Sequence, residues 1–217
     1  MRLDLKTVRR AVIVAPHPDD EIIGTAGLIR ALRGKGRDVR VIVVSDGAAS
    51  HPNSRQWPSA RLIAARRRES LQALGRLGVR PDRVTFLGLP DGGLPGRQDL
   101  CRRQLRRTLR TYGVVDLLVG PAASDAHPDH QAVARALRSG RGRARHLTYQ
   151  VWPPQRRAGP RCHKVVMPGG VAAKRSLIRL HRTQLGAIRD DPEGFTIARH
   201  ELDVFAHPVE RFAEARR

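Results

Sequence analysis

The chain has 217 residues, 40% of them hydrophobic, so one ordinary domain can bury a full core without covalent staples. Only two cysteines are present, Cys101 and Cys162, which excludes a disulfide framework and points to a reducing compartment. The 41 Lys and Arg against 20 Asp and Glu give a formal net charge of +21, a field that attracts phosphate-bearing partners, while an aromatic content of 4% leaves few platforms for stacking bases.

Val8 to Ala15 reads as a first strand, and it exits into Pro16-His17-Pro18-Asp19-Asp20-Glu21. A helical pattern follows over Asp20 to Arg33, then a strand from Val39 to Ser45 that ends in Ser45-Asp46-Gly47. The next helix is predicted from Ser59 to Leu77, with an apolar stripe of Leu62, Ile63, Ser70, Ala73, Leu74 and Leu77. Arg83 to Leu87 is a third strand, leading into Leu89-Pro90-Asp91-Gly92-Gly93. The helix from Gln98 to Tyr112 keeps Cys101, Leu105 and Leu109 on one stripe and turns Arg102, Arg103, Arg106, Arg107 and Arg110 toward water, so this basic run is read as a solvated face. Val114 to Val119 is a fourth strand, and Ser124-Asp125-Ala126-His127-Pro128-Asp129-His130 lies at its exit. A helix after Pro128 reaches about Leu137, Arg145 to Trp152 is a fifth strand, and Ala172 to Ile188 is a late helix. Between the last two, the proline- and arginine-rich stretch 153–160 is predicted as a surface loop.

Continuous apolar strands alternating with helices imply an α/β fold, a Rossmann-like three-layer sandwich on a mostly parallel sheet. The expected domain covers 1–189, with a short C-terminal extension over 190–217 packed on it as a hairpin or edge strand. No apolar run approaches the roughly 20 residues that span a bilayer. Met1 to Lys6 lacks the apolar core of a secretory signal, so cytoplasmic localisation is expected.

In such folds ligands sit beyond the carboxyl ends of the strands, which is where the four polar clusters fall. His17 and Asp20 share one turn, and His130 comes from the fourth exit. Neutral imidazoles and a carboxylate in this number suit a catalytic cation site with open positions, for which Zn²⁺ is expected and Fe²⁺ or another divalent ion is the alternative. Asp19, adjacent to Asp20, would accept a proton from water. His127, as imidazolium, would steady an oxyanion and protonate a leaving amine. Each residue also has a plainer reading: Asp19, Asp20 and Asp129 as helix caps, and the histidines as loop residues. Arg66 falls on an apolar stripe and needs either Glu69 or a ligand as partner. Asp91 is a turn former or an acceptor for a substrate hydroxyl. Asp46 is expected to hold its loop by hydrogen bonds, and His51 to lie in a loop covering the site.

Ala15-Pro16-His17-Pro18-Asp19-Asp20-Glu21 together with Ala126-His127-Pro128-Asp129-His130 resembles the PIG-L/LmbE family of zinc-dependent N-deacetylases. Supporting matches are Ser45-Asp46-Gly47, Arg66-x-x-Glu69, Leu87-Gly88-Leu89-Pro90-Asp91-Gly92 and the stretch from Lys174 to Gln184. The resemblance implies a Rossmann-like domain in which His17, Asp20 and His130 bind Zn²⁺ and Asp19 is the general base. It further implies that His127 is the acid or oxyanion stabiliser tuned by Asp129, and that Arg66 and Asp91 contact a sugar. Some members carry a tyrosine where this chain has Asp125, so a tyrosine at the oxyanion site is not carried over. The expected reaction is removal of an N-acetyl group from an N-acetylglucosamine-like sugar, free or lipid-linked, with a phosphate-bearing acceptor left open. The alternatives are a zinc amidase for another small amide such as a thiol conjugate, and a non-enzymatic basic protein that binds nucleic acid; no specific nucleic-acid partner is expected.

Overall fold

A computed structural model describes residues 3–138, 142–154 and 162–215. Strands β1 (Arg10–Ala15), β2 (Asp38–Ser45), β3 (Val84–Leu89), β4 (Leu117–Pro121) and β5 (Arg145–Tyr149) pair in parallel, joined by helices α1 (Asp20–Arg33), α2 (Ser59–Arg76), α3 (Gln98–Thr111) and α4 (Pro128–Arg138). Then follow β6 (His163–Val166), α5 (Gly170–Ile178), α6 (Arg199–Phe205) and β7 (Val209–Glu214). The sheet runs β3-β2-β1-β4-β5-β7-β6, with β7 antiparallel to both its neighbours.

The central strands are buried on both faces, and side-chain alternation divides the core in two. Ala11, Ile13 and Ala15 point to a cluster with α1 and the end of α2, whereas Val12 and Val14 join the buried stripes of α3 and α4. Helix α1 is enclosed almost all round, and close approach at one point requires glycine. A Cβ on Gly24 would stand 2.3 Å from the Tyr149 ring, whose hydroxyl donates to the Val14 carbonyl at 3.0 Å.

The C-terminal element is present, but its strand is not at an edge. β7 enters between β5 and β6, and a buried pair from Lys174 Nζ to Glu210 Oε1, 2.9 Å, secures it. Glu210 also accepts the Gly27 and Leu28 N–H groups of α1 at 2.8 and 3.0 Å. Strand β6 was not expected. The predicted late helix is shorter: α5 stops at Ile178, and the chain turns into a 3-10 segment over Arg182–Gln184. Of the predicted surface loop, residues 155–160 lie outside the described residues. Among the described residues no helix is long and apolar enough to cross a membrane.

The chain moves from β1 to β2 and β3 on one side, then crosses to β4 on the other. The crevice at the carboxyl ends of β1 and β4 is therefore the topological switch point.

Candidate active site

The exits of β1 and β4 meet at this crevice, and three donor atoms converge there. His17 Nδ1 lies 3.2 Å from Asp20 Oδ2, His130 Nε2 lies 3.1 Å from the same oxygen, and the two ring nitrogens are 3.2 Å apart. Asp20 is held by the His17 backbone N–H, which donates to Oδ2 at 2.9 Å.

The remaining ring nitrogens decide the chemistry of this triangle. His17 Nε2 faces Asp91 Oδ1 at 3.2 Å and Asp129 Oδ2 at 3.3 Å, and His130 Nδ1 stands 3.2 Å from Asp125 Oδ2. Protons on those outer nitrogens leave lone pairs on His17 Nδ1 and His130 Nε2, both directed at the Asp20 carboxylate. Two lone pairs and an anion in mutual contact call for a cation. With metal–ligand bonds of about 2.0–2.2 Å, neighbouring donors sit about 3 Å apart, so the residues present fit a divalent ion.

Another group within reach of one ion comprises His17, Asp91 and Asp129. Their geometry fits hydrogen-bond support better, because Asp129 already accepts from the Gly92 and Leu94 N–H groups at 2.8 and 3.1 Å, and Asp91 Oδ2 from Ala49 at 3.1 Å. His127 can also join His17 and His130 around one ion. Its Nδ1, however, accepts the Asp129 backbone N–H at 3.2 Å, which fixes the ring from behind.

The charges follow this packing. Burial pushes the His17 imidazole down, but Asp129, Asp20 and Asp91 outweigh it and hold the group well above its ordinary value. His130 is likewise pushed down by burial yet raised by Asp20 and Asp125 to about 9. Burial raises Asp20, and His130 and His17 overcome this to hold it far below the carboxylate range. His127 is lowered, by burial first and then by the charges of His17 and His130.

Asp19 is no helix cap. It occupies the cap position with φ 127°, a left-handed strained conformation for a non-glycine residue, and makes no side-chain capping bond. Its carboxylate accepts instead from Gln184 Nε2 at 2.9 Å, and its backbone N–H donates to Glu21 Oε2 at 3.0 Å. Burial, and next the Asp20 charge, raise Asp19 well above the usual carboxylate value.

Arg66 is 2% exposed, and its Nη2 donates to Ser50 Oγ at 2.9 Å and to Gln184 Oε1. Glu69 is not its hydrogen-bonded partner; that carboxylate accepts from the Thr183 N–H and hydroxyl at 3.0 and 2.6 Å. Gly47, at φ 72°, lets the loop pass close to Arg66, since a Cβ there would lie 2.7 Å from Nη1. Asp46 does hold its loop, accepting from Ala48 and Asp91 N–H groups. Asp91, with its side chain 12% exposed, reaches the crevice surface where Arg66 does not.

The Asp129 carboxylate hydrogen-bonds His17 and the loop after β3, while it reaches His127 through its backbone N–H and through its charge, which raises that imidazole. His51 is buried against Gly194 in a loop pinned by Asp190 and Asp191, which accept from Ser54 Oγ at 2.7 Å and Asn53 N–H at 2.9 Å. Sequence reasoning gave no role to Gln184 or Glu21 and noted Asp125 only as a departure.

A Rossmann-like sheet with a His-Asp-His donor set at its switch point defines the class: an α/β protein with a site that could hold a metal ion beside a buried carboxylate. The model of the GlcNAc-PI de-N-acetylase family, PIG-L, matches residues 12–139, more than half of the chain. The chain belongs to that family. Among curated relatives it is 29% identical over 155 residues to a 2'-N-acetylparomamine deacetylase of Streptomyces fradiae, covering 64% of this chain and 54% of that one. It is 30% identical over 127 residues to a diacetylchitobiose deacetylase of Thermococcus kodakarensis, covering 57% and 46%. The chain thus spans about half the length of these relatives. Similar solved structures include N,N'-diacetylchitobiose deacetylase from Pyrococcus horikoshii, at TM-score 0.68 and 23% identity over 84% of this chain and 73% of that one. A conserved protein from Thermus thermophilus matches at TM-score 0.68 and 20% identity over 97% and 96%. A zinc-inhibited form of teicoplanin deacetylase matches at TM-score 0.64 and 17% identity over 81% and 85%. At these identities the likeness is one of fold.

Proposed function

We propose that this protein is a divalent-metal-dependent N-deacetylase, with Zn²⁺ as its metal, acting on an N-acetylated amino sugar. The convergence of His17 Nδ1, Asp20 Oδ2 and His130 Nε2 within 3.2 Å of one another, with Asp19 and His127 beside them, carries this reading. The family match and the named activities of the two curated relatives support the substrate class.

His17, Asp20 and His130 would hold the cation, which when bound would supply Lewis acidity toward the amide carbonyl and the attacking water. Asp19 is the base: a buried carboxylate, raised in basicity, fixed by Gln184 and Glu21 next to the ligand Asp20. His127 is the oxyanion donor. Because its Nδ1 accepts the Asp129 N–H, the neutral ring carries its proton on Nε2, and a second proton on Nδ1 would oppose that backbone donor. We therefore assign the return of the proton to the departing amine to Asp19, which took it from water. Asp91 is the carboxylate placed to accept a sugar hydroxyl, and Arg66 acts from behind the site. The test is acetate release from a panel of N-acetylated amino sugars, with and without a chelator. Metal-loaded protein that released no acetate from any of them, or release that survived full metal removal, would overturn the proposal.

A further inference from the structure

The strongest unassigned arrangement outside the metal donors is the contact between α2 and the 3-10 segment Arg182–Gln184. Arg66 and Glu69 lie one helical turn apart on α2, and they grip consecutive residues of that segment. Glu69 binds Thr183 twice, through backbone N–H and hydroxyl, and Arg66 donates to the Gln184 side-chain carbonyl. The other end of the Gln184 amide donates to Asp19 Oδ2 at 2.9 Å. Thr183 and Gln184 are both buried, and the Ile197 N–H, donating to the Gln184 carbonyl at 2.9 Å, pins the backbone from the far side.

The polarity of this bridge is set by its ends. A guanidinium only donates and an ionised carboxylate only accepts, so a primary amide between them has one workable orientation. Gln184 thereby holds the Asp19 carboxylate by Oδ2, while Glu21 holds the same residue by its backbone N–H across a strained φ.

Resting on the reading of Asp19 as the base, we propose that Gln184 is the positioning residue for that carboxylate, and that Arg66-x-x-Glu69 is the bracket on α2 that holds Gln184 in place. Among the described residues the buried Gln184 side chain hydrogen-bonds Arg66 and Asp19 and none of the metal donors, so its effect passes through Asp19. A misplaced base costs turnover and leaves substrate affinity largely alone.

The experiment is a double-mutant cycle on the metal-loaded full chain, reading kcat, KM, bound metal and folding together. Gln184→Leu is expected to lower kcat about 10- to 100-fold with KM and metal content within about twofold of the parent. Asp19→Ala alone is expected to lower kcat further, and the pair to be no worse than Asp19→Ala alone. Independent, multiplying losses in the double variant, or a Gln184→Leu enzyme with parental kcat, overturn the positioning role. An Asp19→Ala enzyme with parental kcat overturns the reading of the base instead. If Gln184→Leu does not fold, the near-isosteric Gln184→Glu, which places a carboxylate against Asp19, is expected to show the same kcat loss. A crystal structure of the folded variant gives the second readout: Asp19 turned from its present place supports the role, and an unmoved Asp19 refutes it.

Discussion

Replacing Asp125 by asparagine tests whether the metal donors are tuned from behind. Asp125 is fully buried, and four donors converge on its two oxygens. Oδ1 accepts the His127 N–H at 3.0 Å; Oδ2 accepts Val151 and Trp152 N–H groups at 2.8 and 3.1 Å and stands 3.2 Å from His130 Nδ1, which has no better partner. Burial raises this carboxylate, but His130 and the backbone donors bring it below its ordinary range. An asparagine keeps one oxygen. In its less costly orientation that oxygen serves the Val151 side, and its NH₂ then opposes the His127 N–H, losing a charge-assisted hydrogen bond of about 1.5–3 kcal/mol. The charge that steadies the His130 ring is lost as well, which for a carboxylate behind a ligating histidine weakens metal binding about 10- to 100-fold. The expected outcome is a Zn²⁺ dissociation constant raised by that factor together with a stability loss of about 2 kcal/mol, read by competition with a chromophoric chelator and by urea denaturation. A variant that is less stable but binds Zn²⁺ as tightly as the parent would reduce Asp125 to a loop brace.

Three further outcomes follow from the same packing. Glu21 is fully buried and pushed from 4.5 to about 7, by burial above all, so the native state takes up a proton that the unfolded chain has released. The contribution of Glu21 to the stability of the metal-free protein is therefore fully present below the unfolded value and falls by roughly 3 kcal/mol as pH rises from 4.5 to 7. Glu21→Gln should lack that share, so in urea titrations at pH 5 and pH 8 the parent should lose more stability than the variant does; an equal change in both proteins would refute it. Because His17 is held well above its ordinary value and His130 near 9, an incoming cation displaces protons, and Zn²⁺ affinity should climb about tenfold per pH unit for each proton released, flattening near 9. Calorimetry in buffers of different ionisation enthalpy counts those protons, and a count of zero would contradict the charge assignment. His127→Gln, which keeps a neutral donor, should retain far more turnover than His127→Ala, where loss of an oxyanion donor costs about 100- to 1,000-fold; equal losses would return the acid role to His127.

The first four strand exits were legible because each couples an apolar run to acidic residues with proline or glycine, and a βα alternation leaves one sheet edge for all of them. The helices after β1 and β4 begin within the His-Pro-Asp clusters themselves, so the site was readable from local pattern plus topology. What local pattern could not show was partner identity across long separations. The apolar period from Ala172 to Ile188 is real, yet the chain turns near His181 because Thr183 and Gln184 are drawn to Glu69, Arg66 and Asp19. Strand β6 reads His163-Lys164-Val165-Val166, too short and polar to register, and forms because β7 offers it a partner. Asp129 acts on the nearer histidine, His127, through its charge, but that its carboxylate would also bond His17 and the Gly92 and Leu94 amides was not readable from the sequence.

Part of the positive charge lies on α3. Helix α3 starts at the crevice edge and ends at the opposite edge of the sheet, and along its later turns Arg103, Arg106, Arg107 and Arg110, with Thr111, line an outer groove of about 510 Å³. At the crevice, the buried charges are mostly carboxylates, Asp19, Asp20, Asp125 and Asp129, with Arg66 as the buried cation beside them. At an ionic strength of 0.15 M the Debye length is about 8 Å, so the arginines on α3 act on a ligand in the crevice only through a screened field. The local environment therefore suits a divalent cation and an uncharged amide. The arginines on α3, which account for part of the net charge of +21, therefore carry little information about the substrate of the proposed reaction.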